Sequence, residues 1–264
     1  MAVRRPSGMR LLLRSIAMAI VLWPLASQAA GTCRAESGDR IVPLVELYTS
    51  EGCDSCPAAD RWLSKHFPAG GDTAAVALAF HVDYWDRLGW KDRFASPVYT
   101  ERQYQTMRAN RSTFVYTPQV VLQGRDYTGW RRAAPASAIA TAASRVAQAR
   151  IVVLATADAS TLNVQTSVQL KGASRRDLVL AIAYADSRLT SAVKAGENRG
   201  VTLTHDHVVR MLETRALGAT STTVDVPLKK PLEAGTHPMV VAFVQDVASG
   251  DVLQTLAVPL QGCL

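Results

Sequence analysis

The stretch Pro43–Leu63, P-L-V-E-L-Y-T-S-E-G-C-D-S-C-P-A-A-D-R-W-L, decides how the rest of the chain is read. Leu44, Val45, Leu47 and Tyr48 predict a short buried strand, and Thr49 to Gly52 supply the small and polar residues of a tight turn. The period then changes. Cys56, Ala59 or Asp60, Leu63 and Phe67 recur at three- and four-residue steps, which predicts a helix. Pro57 fits its first turn, where no intrahelical donor is lost. Cys53 is expected in the turn or first helical position, and Cys56 one turn further in.

That placement points to thiol chemistry. Unpaired N–H groups and the positive end of a helix dipole favour a thiolate, so Cys53 is the candidate nucleophile. Cys56, three residues on, is placed to resolve a mixed disulfide or to close a reversible bond. Glu51 and Asp54 act in the opposite sense, since two nearby carboxylates raise a thiol pKa and make the pair less oxidising. A permanent structural bond is an alternative reading of the pair. Half a zinc site is another, although no second C-x-x-C or H-x-x-x-H follows to complete four ligands.

The chain starts with Arg4, Arg5, Arg10 and Arg14, then an apolar run from Ile16 to Ala26 and a small-residue cleavage site at Ser27-Gln28-Ala29. This predicts a signal peptide over residues 1–29, cut near Ala29, and a periplasmic or secreted protein. The apolar run is too short, and too interrupted by Pro24, for a membrane span. Four of the 29 basic residues and none of the 22 acidic ones precede residue 30, which leaves 25 against 22 and a charge of +3. The basicity is largely that of the leader, and nothing points to nucleic acid. With four cysteines in an exported chain, the simplest connectivity is Cys33–Cys263 as a structural bond and Cys53–Cys56 as the working pair. The alternative is that both ends fray and the outer two thiols never meet.

Beyond the first helix, Ala74 to Val82 reads as a second buried strand ending in Asp83-Tyr84-Trp85. If it runs parallel to the first, those three residues come near Cys53, as packing under a loop or as a rim that holds a partner. Ser96-Pro97 starts a helix over Val98 to Arg108. Val115 to Leu122 is a strand whose entrance carries Thr117-Pro118, a possible cis bond that leaves backbone groups free for a bound chain. Tyr127 to Trp130 reads as a returning strand and Pro135 to Arg150 as a helix. The order β-α-β-α-β-β-α over residues 30–150 is the thioredoxin order.

From Ile151 the pattern becomes six short β-rich runs between Asp, Gly, Ser and Pro clusters, which predicts a β-sandwich-like domain over residues 151–264. One interval departs from it. Lys194 to Arg210 combines Glu197, Asn198 and two glycines with His205, Asp206 and His207, and long polar loops carry function. If Val201 to Val209 is a strand, His205 and His207 share a face, as two metal ligands or a base and its partner would. The alternative for both is a solvated outer face. His81 reads as a satisfied core histidine placed where it could approach the cysteines.

The motifs V-E-L-Y-T-S-E-G-C-D-S-C-P, H-V-D-Y-W-D-R-L-G-W-K-D, Y-T-P-Q-V-V-L-Q-G and G-E-N-R-G-V-T-L-T-H-D-H-V-V-R resemble those of an exported bacterial thioredoxin-like family catalogued as a domain of unknown function. The resemblance covers nearly the whole mature chain. It implies a thioredoxin fold with an added β-rich portion and no established substrate. By similarity to thioredoxin-like oxidoreductases, Cys53 maps to the attacking thiol, Cys56 to the resolving thiol and Pro118 to the cis-proline, with Thr117 beside it. The expected function is thiol–disulfide exchange with protein thiols or disulfides, without a cofactor. Two alternatives stand beside it: a copper-binding protein using Cys53 and Cys56 with His81 or the His205/His207 pair, and a non-catalytic interaction module.

Overall fold

Leu44–Thr49 is buried at every position, and so is Val76–His81, so both must be covered on two faces. The computed structural model describes residues 1–2, 31–71, 73–158, 160–172, 177–218, 220–231 and 235–263. The expected signal peptide lies outside the described residues apart from its first two. No helix among the described residues is long and apolar enough to cross a membrane.

The first half contains β1 (Thr32–Glu36), β2 (Leu44–Thr49), α1 (Cys56–His66), β3 (Val76–His81), α2 (Pro97–Ala109), β4 (Gln119–Leu122), β5 (Arg125–Asp126) and α3 (Ala136–Ala143). The second half contains β6 (Ala149–Ala157), β7 (Thr161–Leu170), β8 (Leu178–Ser187), β9 (Leu189–Ala192), β10 (Thr202–His205), β11 (Val208–Ala216), β12 (Ser221–Lys229), β13 (Thr236–Asp246) and β14 (Val252–Pro259).

The expected fold, an α/β thioredoxin-like domain followed by a β-sandwich-like domain, is not the one found. Eight strands from both halves form one mixed sheet in the order β14-β13-β8-β11-β3-β2-β4-β5. The junction is the parallel contact of β11 with β3, where Val208 stands opposite Ala79 and the Ala79 N–H donates to the His207 carbonyl at 2.8 Å. This contact joins an edge of the first-half strands to an edge of the second-half strands, where two separate sheets would each present an open edge. Among the described residues α-helix is confined to α1, α2 and α3, and strands predominate.

Alternation places the core on both faces. Val45 and Leu47 of β2 pack with Leu63 of α1, with Phe67 just past its end, and with Trp130 and Ile139. Leu44 and Tyr48 face the other way, toward Tyr99 of α2 and, from the second half, Ala183, Val241 and Phe243. On that face Arg102 of α2 pairs with Glu46 at 2.7 Å and reaches Gln245 of β13 at 3.2 Å. A smaller antiparallel sheet, β1-β6-β7-β12, shares a core with β8, β13 and β14. The N-terminal β1 thus belongs to the small sheet, where Cys33 bonds to Cys263 across a Cα separation of 5.7 Å.

Local expectations differ at three places. The helix expected over Pro135 to Arg150 stops at Ala143, because Ala149, Ile151, Val153 and Ala155 alternate inward and are fully buried as a strand. Alanine's helix propensity is a weak prior that this burial overrides. The strand expected over Tyr127 to Trp130 is a 3₁₀ turn at Thr128–Arg131, which carries Trp130 onto Trp62 of α1 with ring centroids 5.9 Å apart. The strand expected over Val201 to Val209 breaks at Asp206-His207, where His207 takes φ 58°.

Candidate functional site

β2 ends at Thr49, and a turn then carries Ser50 to Ser55 to the start of α1. The Cys53 N–H donates to the Ser50 carbonyl, and the Cys56 N–H to the Cys53 carbonyl, each at 3.2 Å. Cys53 therefore lies ahead of the helix, and Cys56 is its first residue. The helix amino end bears on Cys56, not on Cys53 as the sequence suggested. The two are disulfide-bonded with Cα atoms 5.4 Å apart. Both have 0% exposure, while Asp54 and Ser55 between them are exposed.

A segment from the far end of the sequence seals this turn. The Asn198 side-chain amide donates to the Glu51 carbonyl at 2.9 Å and to the Cys53 carbonyl at 2.8 Å. The neighbouring Glu197 carboxylate accepts the Asp54 N–H at 3.1 Å. Gly196 and Gly200 bracket this cap at φ 74° and 85°, a region that glycine enters without steric penalty. On the other side, a Cβ added at Gly52 would stand 3.2 Å from the Trp85 Cβ. The Trp85 indole donates to the Thr117 hydroxyl at 2.7 Å, and the Thr117–Pro118 bond is cis.

Beneath the turn five ionisable side chains are buried together: Glu51 and His81 at 0% exposure, Asp92 and His205 at 2%, and Asp60 at 8%. His81 Nδ1 lies 2.7 Å from Asp92 Oδ2. Asp92 also accepts the N–H groups of Glu51 and Phe94, each at 2.9 Å. The Trp90 indole donates to Glu51 Oε2 at 2.7 Å. His205 bridges two acids: Nε2 is 3.2 Å from Glu51 Oε1, and Nδ1 is 3.8 Å from Asp60 Oδ2. Neither contact has hydrogen-bond alignment, so both ring nitrogens and Glu51 Oε1 are without an aligned partner. The two imidazoles meet edge-to-face with centroids 4.8 Å apart, and Phe94 closes the group.

Burial alone would raise the Asp92 carboxyl, yet His81 and the two backbone donors outweigh it and hold it below its usual value. Burial alone would lower His81, but Asp92, Asp60 and Glu51 outweigh it and hold the imidazolium. Glu51 is also held low: burial opposes this, and the contacts of His205, Ser191 and Trp90 prevail. Asp60 goes the other way. Burial raises its carboxyl against the pull of His205 and His81.

The structure thus brings together Cys53, Cys56, Glu51, Asp54, His81, Trp85, Glu197, Asn198 and His205, with Thr117 and Pro118 joined through Trp85. It does not bring His207, whose Nε2 contacts the Phe67 carbonyl at 2.5 Å and whose burial lowers its pKa. His205 and His207 are separated by the break between β10 and β11 and share no face. Asp83 accepts from the Thr100 hydroxyl at 2.6 Å, and Tyr84 donates to Gln103 at 3.2 Å, so both brace α2. Among the described residues, no group of three or more His, Cys, Asp or Glu side chains has an arrangement that could hold a metal ion. Asp92 and the role of Asp60 were missed. A carboxylate within the apolar stripe of α1 was the available signal for Asp60; Asp92, in a polar loop, gave none.

Fold and site together define a mixed-sheet protein with a fully buried C-x-x-C disulfide whose turn and helix also contribute to a buried acid–imidazole cluster. The chain belongs to the family described as protein of unknown function, DUF1223, which it matches over residues 44–245. It is similar to the crystal structure of protein AGR_C_4864 from Agrobacterium tumefaciens, with 27% identity, a TM-score of 0.58, and coverage of 84% of this chain and 95% of that one. It also shares its fold with HBP35 of Porphyromonas gingivalis, at 14% identity and a TM-score of 0.61, covering 83% of this chain and 75% of that one. No curated protein matches the chain.

Proposed function

We propose that Cys53 and Cys56 form a reversible dithiol–disulfide pair that exchanges with thiols or disulfides of other proteins outside the cytoplasm. The observation that carries this reading is a C-x-x-C disulfide whose turn supplies Glu51 and whose helix supplies Asp60 to a cluster of five buried ionisable groups. A bond closing so short a loop stabilises the fold by only about 2 kcal/mol in the chain-entropy treatment. Burying five ionisable groups costs more than that even when they are paired, and groups of shifted pKa cluster at functional sites. The second disulfide, joining Cys33 to Cys263, supports residence in an oxidising compartment.

Because neither cysteine has exposed surface, a partner reaches them only when the Glu197–Asn198 cap lifts. The cap is held by three hydrogen bonds to the cysteine turn, a local opening rather than global unfolding. Once it lifts, the carbonyls of Glu51 and Cys53 are free to bind an incoming chain.

The Cys56→Ser variant tests the reading, since it removes the resolving sulfur. It should accumulate a mixed disulfide between Cys53 and glutathione when treated with glutathione disulfide under native conditions. Failure to form that adduct in the folded variant, while the unfolded variant forms it, contradicts reversible exchange.

A further inference from the structure

Resting on that reading, we propose that the cap over Cys53 and Cys56 is the tip of a larger flap, the β9–β10 hairpin, which swings away as one body about hinges at Arg188 and His207. Among the described residues β9 and β10 pair only with each other, with Thr202 opposite Ala192 and His205 opposite Leu189 in a separate two-stranded sheet. β8 and β11, which precede and follow the hairpin, are held on both sides within the eight-stranded sheet. The chain therefore leaves a fixed strand at Ser187, makes the flap, and re-enters a fixed strand at Val208.

Exit and re-entry share one geometry. Arg188 and His207 each take φ 58°, an uncommon conformation for residues other than glycine. The neck is strapped across: the Arg188 N–H donates to Asp206 Oδ1 and the His207 N–H to the Ser187 hydroxyl, each at 3.0 Å. Hinge motions are absorbed by a few such residues at element ends, and here the strapped neck stays closed while the strands beyond it turn. At the far end the tip is bonded into its own strands. The Val193 N–H donates to the Val201 carbonyl and the Gly200 N–H to the Val193 carbonyl, each at 2.9 Å, and the Val201 N–H donates to the Asn198 carbonyl at 3.1 Å. Glu197 and Asn198 thus move with β9 and β10.

The flap is one-sided. Leu189, Ser191, Leu203 and His205 are buried, while Thr190, Ala192, Thr202 and Thr204 between them are exposed, so one face rests on the body of the protein and the other meets solvent. On the buried face Ser191 accepts from Arg93 Nε at 3.0 Å, and His205 lies between Glu51 and Asp60 with neither ring nitrogen in an aligned hydrogen bond. One swing uncovers the disulfide and withdraws His205 from the two carboxylates, so exposure of the sulfurs and opening of the acid–imidazole cluster are a single event. A partner that binds the open form better than the closed one shifts the flap off the site.

Hydrogen exchange of the full chain, followed by mass spectrometry, and the rate at which dithiothreitol reduces Cys53–Cys56 test the flap together. Amides of residues 189–205 should exchange through one common opening, at least about tenfold faster than those of β8 and β11. Leu203→Ala lies outside the tip and removes a buried contact that only a swing of the whole hairpin breaks. It should speed reduction at least about tenfold, the low end of what such a truncation supplies. Thr202→Ala, on the solvent face, should leave the rate within about twofold. An opening confined to residues 193–201, with residues 202–205 as protected as β11, overturns the proposal, and so does an unmutated reduction rate in folded Leu203→Ala. If Leu203→Ala does not fold, the exchange pattern of the unmutated chain decides alone. A common opening of residues 189–205 in a chain whose Cys53–Cys56 bond resists dithiothreitol would leave the flap standing and remove the reading of the preceding subsection instead.

Discussion

The side-chain amide of Asn198 donates a 2.8 Å hydrogen bond to the carbonyl of Cys53, a residue 145 positions earlier in the chain. With the parallel bond to Glu51, it is the main polar tie between the second half of the molecule and the cysteine turn. Asn198→Ala removes both donors and leaves two carbonyls to water, a local loss of about 1–3 kcal/mol. Reduction of Cys53–Cys56 by dithiothreitol should therefore be roughly 5- to 140-fold faster in the variant, since each 1.4 kcal/mol is a factor of ten. An unchanged rate would show that the cap does not limit access.

The His81–Asp92 pair fixes a window of pH in which the site is most stable. Asp92 is held below its ordinary 3.8, so its contribution is present above that value and lost as pH falls through the folded-state pKa. His81 is held above its ordinary 6.5, so its contribution is full below that value and lost as pH rises through the folded-state pKa. Asp92→Asn leaves a buried imidazolium without its counter-charge, which costs about 3–5 kcal/mol. Denaturant titrations should show that loss at its largest between about pH 4 and 6.5, shrinking on either side. A loss independent of pH would contradict the charge assignment.

The Cys33–Cys263 bond is separate from the Cys53–Cys56 turn and spans 230 residues. Its entropic contribution is on the order of 5 kcal/mol, so the Cys33→Ser, Cys263→Ser double variant should lose up to that amount in equilibrium unfolding. Its Cys53–Cys56 pair should still exchange with glutathione at the unmutated rate in native buffer. Loss of exchange in a folded double variant would tie the two disulfides together.

Much of the local structure was legible from residue pattern. The apolar run from Leu44 and the stripe Cys56, Ala59, Leu63 and Phe67 gave β2 and α1, and the six runs after Ile151 gave β6, β7, β8, β12, β13 and β14. The joining of the halves was not legible, because the β11–β3 contact rests on Val208 opposite Ala79, a non-local pairing that leaves no mark in either strand. Thr32–Glu36 was also missed as a strand, since T-C-R-A-E carries only Cys33 and Ala35 toward the small sheet's core. At the site, Glu51, His81, Glu197, Asn198 and His205 were picked out by residue type and by their motifs. His207 was grouped with His205 on the assumption of an unbroken strand, and the turn at φ 58° sends it to Phe67 instead.

The central claim is that Cys53 and Cys56 cycle between dithiol and disulfide in the folded protein. Equilibrating the native chain across a graded series of reduced and oxidised glutathione, then alkylating and locating the label by mass, measures this directly. The account predicts that both cysteines gain label together in one reversible two-electron transition, at a poise where Cys33 and Cys263 are still bonded. A Cys53–Cys56 bond that takes no label until the protein unfolds would contradict it.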